Sequence, residues 1–187
     1  MDKNLGQILR DCDAIKFGDF TLVNGKKSRY YVDIKKAATK PKILELIAEH
    51  IVDAINDNGI DVDYIACIEL GGVPIGTIVS VVTGLPLIII RKAEKDHGVK
   101  SRIIGDPEAK KVVLLVEDVT TTGGSVINAA QTLRNRGSIM RDIITVVDRD
   151  EGAEEALEKK GLNLISLVKA KSLLEDYEIA EVLRCVT

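Results

Sequence analysis

Short, mainly apolar runs recur along the last two thirds of the chain, and they constrain the fold more than any other feature. They span Tyr64–Ile68, Leu85–Ile90, Lys111–Val116, Ile139–Val147 and Leu164–Val168. Continuous rather than alternating apolar runs are typical of strands in a parallel sheet that is covered on both faces. Helical patterns lie between most of them. The sequence therefore predicts an α/β fold, a doubly wound parallel sheet flanked by helices.

The N-terminal segment has a different pattern. A short helix is predicted with Leu5, Ile8 and Leu9 on one face. It is followed by two extended runs, Phe17–Leu22 and Arg29–Asp33, whose connection contains Asn-Gly. Such a connection favours a β-hairpin.

A single domain is expected, because 187 residues with 45% hydrophobic content can bury one ordinary core. A possible N-cap at Thr39 and a proline at Pro41 predict a long helix that ends near Gly59. We therefore expect residues 1–38 to form a small N-terminal hood and residues 39–187 to form the core.

Charge and cysteine content exclude several classes of protein. Twenty-six basic and 29 acidic side chains, with no long basic run, do not favour a nucleic-acid or membrane surface. No apolar run approaches the roughly 18 residues that a membrane span needs, so a cytoplasmic protein is predicted. Cys12, Cys67 and Cys185 form no CxxC pair and are expected to be reduced thiols rather than metal ligands.

The predicted sheet also indicates where a ligand binds. In doubly wound sheets, ligands bind beyond the carboxyl ends of the strands. This rule selects four segments: Glu69–Gly72, Arg91–Asp106, Glu117–Gly124 and Asp148–Asp150.

The run Val112–Gly124 carries the strongest chemical signal. Two carboxylates, Glu117 and Asp118, end a buried-type strand, and hydroxyl residues and two glycines follow. A glycine-rich loop before a helix can hold a phosphate through its amides, while the acids suit ribose hydroxyls, Mg²⁺ or a cationic sugar. The segment expected to hold such a ligand comprises Glu117, Asp118, Val119, Thr120, Thr121, Thr122, Gly123, Gly124 and Ser125.

Other interpretations of this run are weaker. A helix-capping turn with Asp118 as the cap is the purely structural alternative. The loop lacks the Gly-Lys-Ser/Thr ending of a P-loop, and GxGxxG is absent. As a whole, the run resembles the phosphoribosyl diphosphate signature of the type I phosphoribosyltransferases, which implies that fold and that ligand.

A second signal is a cluster of cations after the run Leu85–Ile90. Arg91, Lys92, Lys95 and His97 lie within seven residues of one another. A solvated surface loop is the plain alternative. At the carboxyl end of a strand, however, a mobile cationic lid, about residues 91–106, could cover a diphosphate leaving group and exclude water. His97 could also give a proton to the departing group.

The segment Arg91–Gly98 resembles the catalytic loop of orotate phosphoribosyltransferases. The resemblance implies Mg²⁺-dependent transfer of phosphoribose to orotate, with Lys95, His97 and Asp118 as catalytic residues. It implies that phosphoribosyl diphosphate is also bound by Arg91 and Lys92. It further implies a homodimer in which each lid reaches the neighbouring active site.

The segment Phe17–Asp33 resembles the hood that covers the base in the same family, although a purely structural hairpin is the alternative. The resemblance implies orotate contacts at Tyr30, Tyr31, Lys26, Thr121 and Arg149. A planar two-pronged donor such as arginine suits a carboxylate.

Two positions depart from the family pattern. Gly71 and Val23 stand where many bacterial members have lysine. A phosphoribosyltransferase for another base therefore stays open, as does a non-catalytic regulator that senses phosphoribosyl diphosphate. We expect no added DNA-binding module, since the hood begins near residue 17, and no fused decarboxylase domain.

Overall fold

The computed structural model describes residues 4–21, 27–92 and 102–174. The N-terminal part contains a short helix, a hairpin and a second short helix. These are α1 (Leu5–Asp11), β1 (Ile15–Thr21), β2 (Lys27–Val32) and α2 (Ile34–Ala38).

The remaining elements alternate between helix and strand except at β4, β5 and β6, which follow one another. They are α3 (Pro41–Asp57), β3 (Tyr64–Ile68), α4 (Gly72–Thr83), β4 (Leu87–Ile90), β5 (Ile103–Ile104), β6 (Val112–Thr120), α5 (Gly124–Arg134), β7 (Ile139–Asp148), α6 (Ala153–Glu158) and β8 (Asn163–Lys169). Residues 170–174 are helical.

The large sheet has the order β5-β4-β3-β6-β7-β8. Strands β4, β3, β6, β7 and β8 are parallel, and β5 pairs antiparallel with β4 at the edge. This confirms the predicted doubly wound sheet. The two-residue strand β5 was not predicted, because a segment that short has no detectable period.

Helices cover both faces of the sheet. On one face, Ile47 of α3 and Ile75 of α4 belong to a buried cluster with Leu114 and Ile144. On the other face, Leu133 of α5 and Leu157 of α6 belong to a cluster with Leu115 and Ile143. Adjacent residues of β6 and β7 thus face opposite helix layers, which explains why these strands are continuously apolar.

The hood forms a separate two-stranded antiparallel sheet, in which Ile15 pairs with Val32. The predicted hairpin is therefore confirmed. Leu9, Ile15 and Ile34 are buried in the same cluster as the residues of α3 and α4. The hood is therefore packed on the core by apolar contacts and lies on the same face as α3 and α4.

The start of α3 corrects one prediction. The N-cap of α3 is Lys40, and Thr39 is instead the C-cap of α2. The Thr39 hydroxyl donates a hydrogen bond to the Lys36 carbonyl at 2.8 Å. The physical reason is that α2 continues to Ala38, so the Thr39 side chain completes the preceding helix and Pro41 begins the next one.

Several boundaries also differ from the sequence prediction. Strand β4 begins at Leu87 rather than Leu85, and α4 begins at Gly72 rather than near Pro74. Strand β6 continues through the acidic pair to Thr120, because it stays paired with β7 up to Asp148. Among the described residues, no helix is long and apolar enough to cross a membrane.

The sheet order places its topological switch point between β3 and β6. The connection through α4 leads from β3 to β4, while the connection through α5 leads from β6 to β7 in the opposite direction. The two strands are paired up to Cys67 and Val116. A crevice therefore opens beyond these residues, where ligands bind in such folds.

Candidate active site

A cavity of about 260 Å³ lies in this crevice. It is formed by the ends of β3 and β6, the loop before α5, and Lys92, which lies two residues after the end of β4. Its lining residues are Ile68, Lys92, Glu117, Asp118, Val119, Thr120, Thr121, Thr122, Gly123, Gly124, Ser125 and Val126. The fold thus brings together the acidic pair, the hydroxyl-rich loop and one cation of the predicted lid.

Glu117 is almost fully buried, with 6% of its surface exposed. Its Oε1 accepts a hydrogen bond from the Asp118 amide at 3.1 Å. Burial, together with the neighbouring Asp118 carboxyl, raises the pKa of Glu117 well above its ordinary value. Two carboxyl groups held side by side in this way are suited to share protons and to accept hydrogen bonds from hydroxyl groups.

Asp118 is half-buried and faces the segment that follows β3. A Cβ atom on Gly71 would overlap the Asp118 carboxylate. The observed orientation of Asp118 therefore requires glycine at position 71, where many bacterial members of the resembled family have lysine. A side chain at this position could be accommodated only if the Asp118 carboxylate turned away.

The loop between β6 and α5 has the geometry of an anion site. Gly123 is the N-cap of α5 with φ +78°, a conformation that glycine adopts without strain. A Cβ on Gly124 would meet no atom within 4 Å. The amides of the first turn of α5 are therefore approachable, and they coincide with the positive end of the helix dipole.

Arg91 and Arg102, both within the predicted lid of about residues 91–106, are held together. The Arg91 amide donates to the Arg102 carbonyl at 2.8 Å, and Arg102 Nε donates back to the Arg91 carbonyl at 3.1 Å. The Lys92 amide donates to Glu69 Oε1 at 2.8 Å, which anchors that end to the segment after β3. Lys95 and His97, the predicted catalytic residues of the lid, lie outside the described residues, as does Lys26 of the hood.

Tyr30 and Arg149 join the hood to the core. The Tyr30 hydroxyl donates to the Arg149 carbonyl at 2.8 Å, and the Arg149 guanidinium carbon lies 5.1 Å from the centre of the Tyr30 ring. The Arg149 amide donates to the Thr120 carbonyl at 2.9 Å. Arg149 is therefore fixed beside the end of β6, next to the acidic pair and its loop.

The other predicted base contacts are less constrained. Tyr31 is exposed and packs on Phe20 with ring centres 5.8 Å apart. Thr121 is half-buried and lines the cavity. Their contacts with a base, like that of Tyr30, stay predictions.

Three polar residues near the site received no individual role from the sequence. Glu69 anchors Lys92, and Glu151 Oε1 lies 2.9 Å from an Arg149 terminal nitrogen. Lys35 Nζ lies 3.0 Å from Asp33, which raises the pKa of Lys35 with a further contribution from Asp118. Glu69 lies in a segment that the sequence analysis selected as part of the ligand site. Glu151 and Lys35 pair with residues only two positions away, and only the folded chain shows that these pairs lie near the cavity.

No group of three or more His, Cys, Asp or Glu side chains within the described ranges could hold a metal ion. A divalent cation that enters this cavity would thus have few protein ligands. The half-buried Asp118 carboxylate and the open cavity fit an ion held mainly by ligand oxygens and water, as is usual for Mg²⁺.

Comparison with known proteins gives consistent results. A model of the phosphoribosyl transferase domain matches residues 34–181. The orotate phosphoribosyltransferase of Methanosarcina mazei is 50% identical over 167 residues, which cover 89% of this chain and 88% of that protein.

Two solved structures extend the similarity to three dimensions. The orotate phosphoribosyltransferase of Aeropyrum pernix superimposes with a TM-score of 0.84 at 28% identity, covering 93% of this chain and 98% of that one. The Mycobacterium tuberculosis H37Rv orotate phosphoribosyltransferase in complex with 5-phospho-α-D-ribosyl 1-diphosphate gives a TM-score of 0.74 at 28% identity, with coverages of 90% and 96%.

The raised pKa of Glu117 predicts a particular dependence of stability on pH. In the folded protein this carboxyl keeps its proton at pH values where the unfolded chain has lost it. The free energy of unfolding therefore falls as pH rises from the ordinary glutamate pKa through the raised one. Glu117→Gln removes this dependence, and we expect the variant to gain stability relative to the unsubstituted protein as the pH rises from 5 to 8.

Urea unfolding at pH 5 and pH 8 measures the effect. Glu45→Gln, an exposed carboxylate on α3, is the matched control and should follow the unsubstituted protein. Parallel pH profiles for Glu117→Gln and the unsubstituted protein would contradict the prediction.

Proposed function

The chain belongs to the phosphoribosyltransferase family, and we infer that it is an orotate phosphoribosyltransferase. It transfers the 5-phosphoribosyl group from phosphoribosyl diphosphate to orotate, a step of pyrimidine nucleotide biosynthesis, and releases diphosphate. The observation that carries this function is the cavity at the β3–β6 switch point, lined by an acidic pair and a hydroxyl-rich loop, in a chain that is 50% identical to the orotate phosphoribosyltransferase of Methanosarcina mazei.

The sugar phosphate is proposed to bind along the cavity. The loop Thr120–Ser125 receives the 5-phosphate through the amides at the start of α5 and the threonine hydroxyls. Glu117 and Asp118 accept hydrogen bonds from the two ribose hydroxyls. Because these two carboxyls lie beside the ribose, the negative charge that the pair carries also favours the positive charge that develops on the sugar during bond breaking.

The leaving diphosphate is proposed to lie between the loop after β3 and the lid. The amides of Gly71 and Gly72 are proposed to hold one side of the diphosphate, while Lys92 lines the cavity on the other. Arg91, Lys95 and His97 are proposed to contact the same diphosphate, because they belong to the same predicted lid as Lys92. Their positive charges stabilise the charge that the diphosphate gains as the bond between ribose C1 and the diphosphate oxygen breaks, and His97 is proposed to supply a proton.

Mg²⁺ is the proposed cofactor, with no dedicated cage of protein ligands. When bound, it neutralises diphosphate charge and orients the leaving group. Asp118 is the carboxylate best placed to contact its hydration shell, because it is only half-buried and lines the cavity.

Orotate is proposed to bind between the hood and the end of β7. The Arg149 guanidinium is the cation offered to the orotate carboxylate, and Thr121 is a second polar contact on the cavity wall. Tyr30 holds Arg149 in place, while Tyr31 and Lys26 are the remaining contacts proposed from the hood.

A homodimer with shared active sites is the proposed assembly. Helix α4 is mainly apolar, yet Val81 is 71% exposed, and Leu70 just before the helix is 72% exposed. Val73, Thr77 and Val81 share one helical face at spacings of four residues. These exposed apolar side chains on and before α4, together with the exposed Ile104 of the edge strand β5, support a surface that another copy covers.

The cytoplasm is the proposed location of the enzyme. The two cysteines in the described part of the chain, Cys12 and Cys67, are buried free thiols. Burial raises the pKa of the Cys67 thiol to about 12, so this thiol is unreactive. Buried reduced cysteines are usual in a reducing compartment.

A direct assay tests the function. The protein is incubated with orotate, phosphoribosyl diphosphate and Mg²⁺, and orotate loss is followed by absorbance, with adenine, hypoxanthine and uracil as alternative acceptors. We expect turnover with orotate alone. Turnover with another base would assign a different acceptor, and binding of phosphoribosyl diphosphate without any turnover would favour a regulator.

Lys95→Ala tests the lid. Removal of a cation that contacts the leaving group mainly in the transition state should lower kcat by on the order of 10² or more. Lys100→Ala removes an equal charge from the same predicted lid at a position without an assigned role, and it should retain most activity. Equal rates for Lys95→Ala and the unsubstituted enzyme would remove the proposed role of the lid.

Subunit mixing tests the shared site. Lys95→Ala and Asp118→Asn subunits are each nearly inactive, but a mixed dimer contains one site with both native residues if the lid crosses to the neighbour. Random mixing should then restore about a quarter of the native activity, since half of the dimers are mixed and each has one intact site of two. Self-contained sites would give no recovery.

A further inference from the structure

The Arg149 guanidinium is already paired with a carboxylate of the chain. Its Nη2 lies 2.9 Å from Glu151 Oε1, and the Arg149 side chain is 13% exposed while that of Glu151 is 38% exposed. The pair is therefore buried on the arginine side and open to solvent on the glutamate side. A ligand carboxylate that pairs with the same guanidinium must compete with Glu151 for it.

Neutral groups hold Arg149 independently of Glu151. The Thr120 carbonyl accepts from the Arg149 amide at 2.9 Å, and the Tyr30 hydroxyl donates to the Arg149 carbonyl at 2.8 Å. The Tyr30 ring covers the guanidinium, with 5.1 Å from its centre to the guanidinium carbon. The backbone and one face of Arg149 are thus fixed without any charge, so Glu151 is not needed to place the arginine.

The donors of Arg149 are not fully used by the described chain. Its Nε is buried, and no described group accepts a hydrogen bond from it. A buried donor without an acceptor costs roughly 1–3 kcal/mol. The guanidinium therefore gains from a second acceptor, which a planar carboxylate supplies in a two-pronged arrangement.

The turn that carries Glu151 is held by its neighbour. Asp150 has φ +55°, its amide donates to Asp148 Oδ1 at 3.1 Å, and its Oδ2 accepts from the Lys171 amide at 3.2 Å. Gly152 follows with φ +93°. The backbone around Glu151 is therefore fixed by Asp150, so the exposed Glu151 side chain can leave Arg149 without disturbing the turn.

We propose that Glu151 is a specificity-determining residue, whose carboxylate competes with the carboxylate of the incoming base for the Arg149 guanidinium. This inference rests on the proposed function. The exchange of one carboxylate for another preserves the charge balance of a mostly buried arginine. A base without a carboxylate cannot replace Glu151 at the guanidinium, so Glu151 favours anionic bases over neutral ones. The competition also lowers the affinity for the anionic bases themselves.

Glu151→Gln tests the inference, because glutamine keeps the size of the side chain and removes its charge. We expect KM for orotate to fall about 3- to 10-fold, the size of effect usual for a partly exposed ion pair, with KM for phosphoribosyl diphosphate unchanged. In an Arg149→Ala background the same substitution should have no effect on orotate, since the competition acts through that guanidinium.

Glu154→Gln is the matched control. Glu154 lies one turn further along and pairs with Lys169 at 3.0 Å, so its removal changes the net charge equally without touching Arg149. An equal fall in KM for Glu154→Gln would make the effect a general electrostatic one and overturn the inference. A raised or unchanged KM for Glu151→Gln would overturn it too, because Glu151 would then position Arg149 or leave it unaffected.

The two levels of inference fail in different ways. If the unsubstituted enzyme does not turn over orotate, the proposed function fails, whereas turnover with an unfavourable Glu151→Gln result rejects only the competition. Calorimetric titration of orotate into both proteins reads the same affinity difference without catalysis. Thermal unfolding of each variant confirms that folded protein is compared in every case.

Discussion

The parallel pairing of β3 with β6 is the interaction on which the rest of the site depends. These two strands are neighbours in the sheet although α4, β4 and β5 lie between them in the sequence. The helices that follow them, α4 and α5, lead toward opposite edges of the sheet. The pairing brings the segment after β3 against the acidic pair that ends β6. Gly71 and Asp118 then lie so close together that a side chain at position 71 would overlap the Asp118 carboxylate. A shift in this register would separate the groups that line the cavity.

Burial of Glu117 shows what such a site costs the fold. A carboxyl with 6% exposure, beside a second carboxyl, contributes less to stability when ionised than a neutral residue of the same shape would. The sheet tolerates this cost because β6 is otherwise among the most deeply buried strands, with Val113–Val116 inaccessible to solvent or nearly so. The apolar burial of Val113–Val116 thus offsets the unfavourable burial of Glu117 at the carboxyl end of the strand. Such compensation is common where function requires polar groups in a buried place.

The sequence predicts the parts of this molecule that depend on local pattern, and it misses those that depend on distant partners. Continuous apolar runs predict the parallel strands, and the Asn-Gly connection predicts the hairpin. The N-cap prediction at Thr39 is wrong because a threonine two residues before a proline can end one helix as well as begin the next. Helix α2 has too few residues to show a period in the sequence. Tyr30 and Arg149 are 119 residues apart in sequence, so only the folded chain shows that the hood residue holds the core arginine. Glu151 was missed although its partner Arg149 is only two positions away, because the sequence does not show that the arginine side chain is mostly buried.

The paired backbone and side-chain hydrogen bonds between Arg91 and Arg102 have a consequence for how such a protein can change over time. Because Arg91 and Arg102 lie side by side, the chain leaves and rejoins this edge of the sheet at nearly the same point. A change in the number of residues between them therefore need not displace β4 or β5. The sheet that positions the cavity can stay the same while this part of the sequence changes.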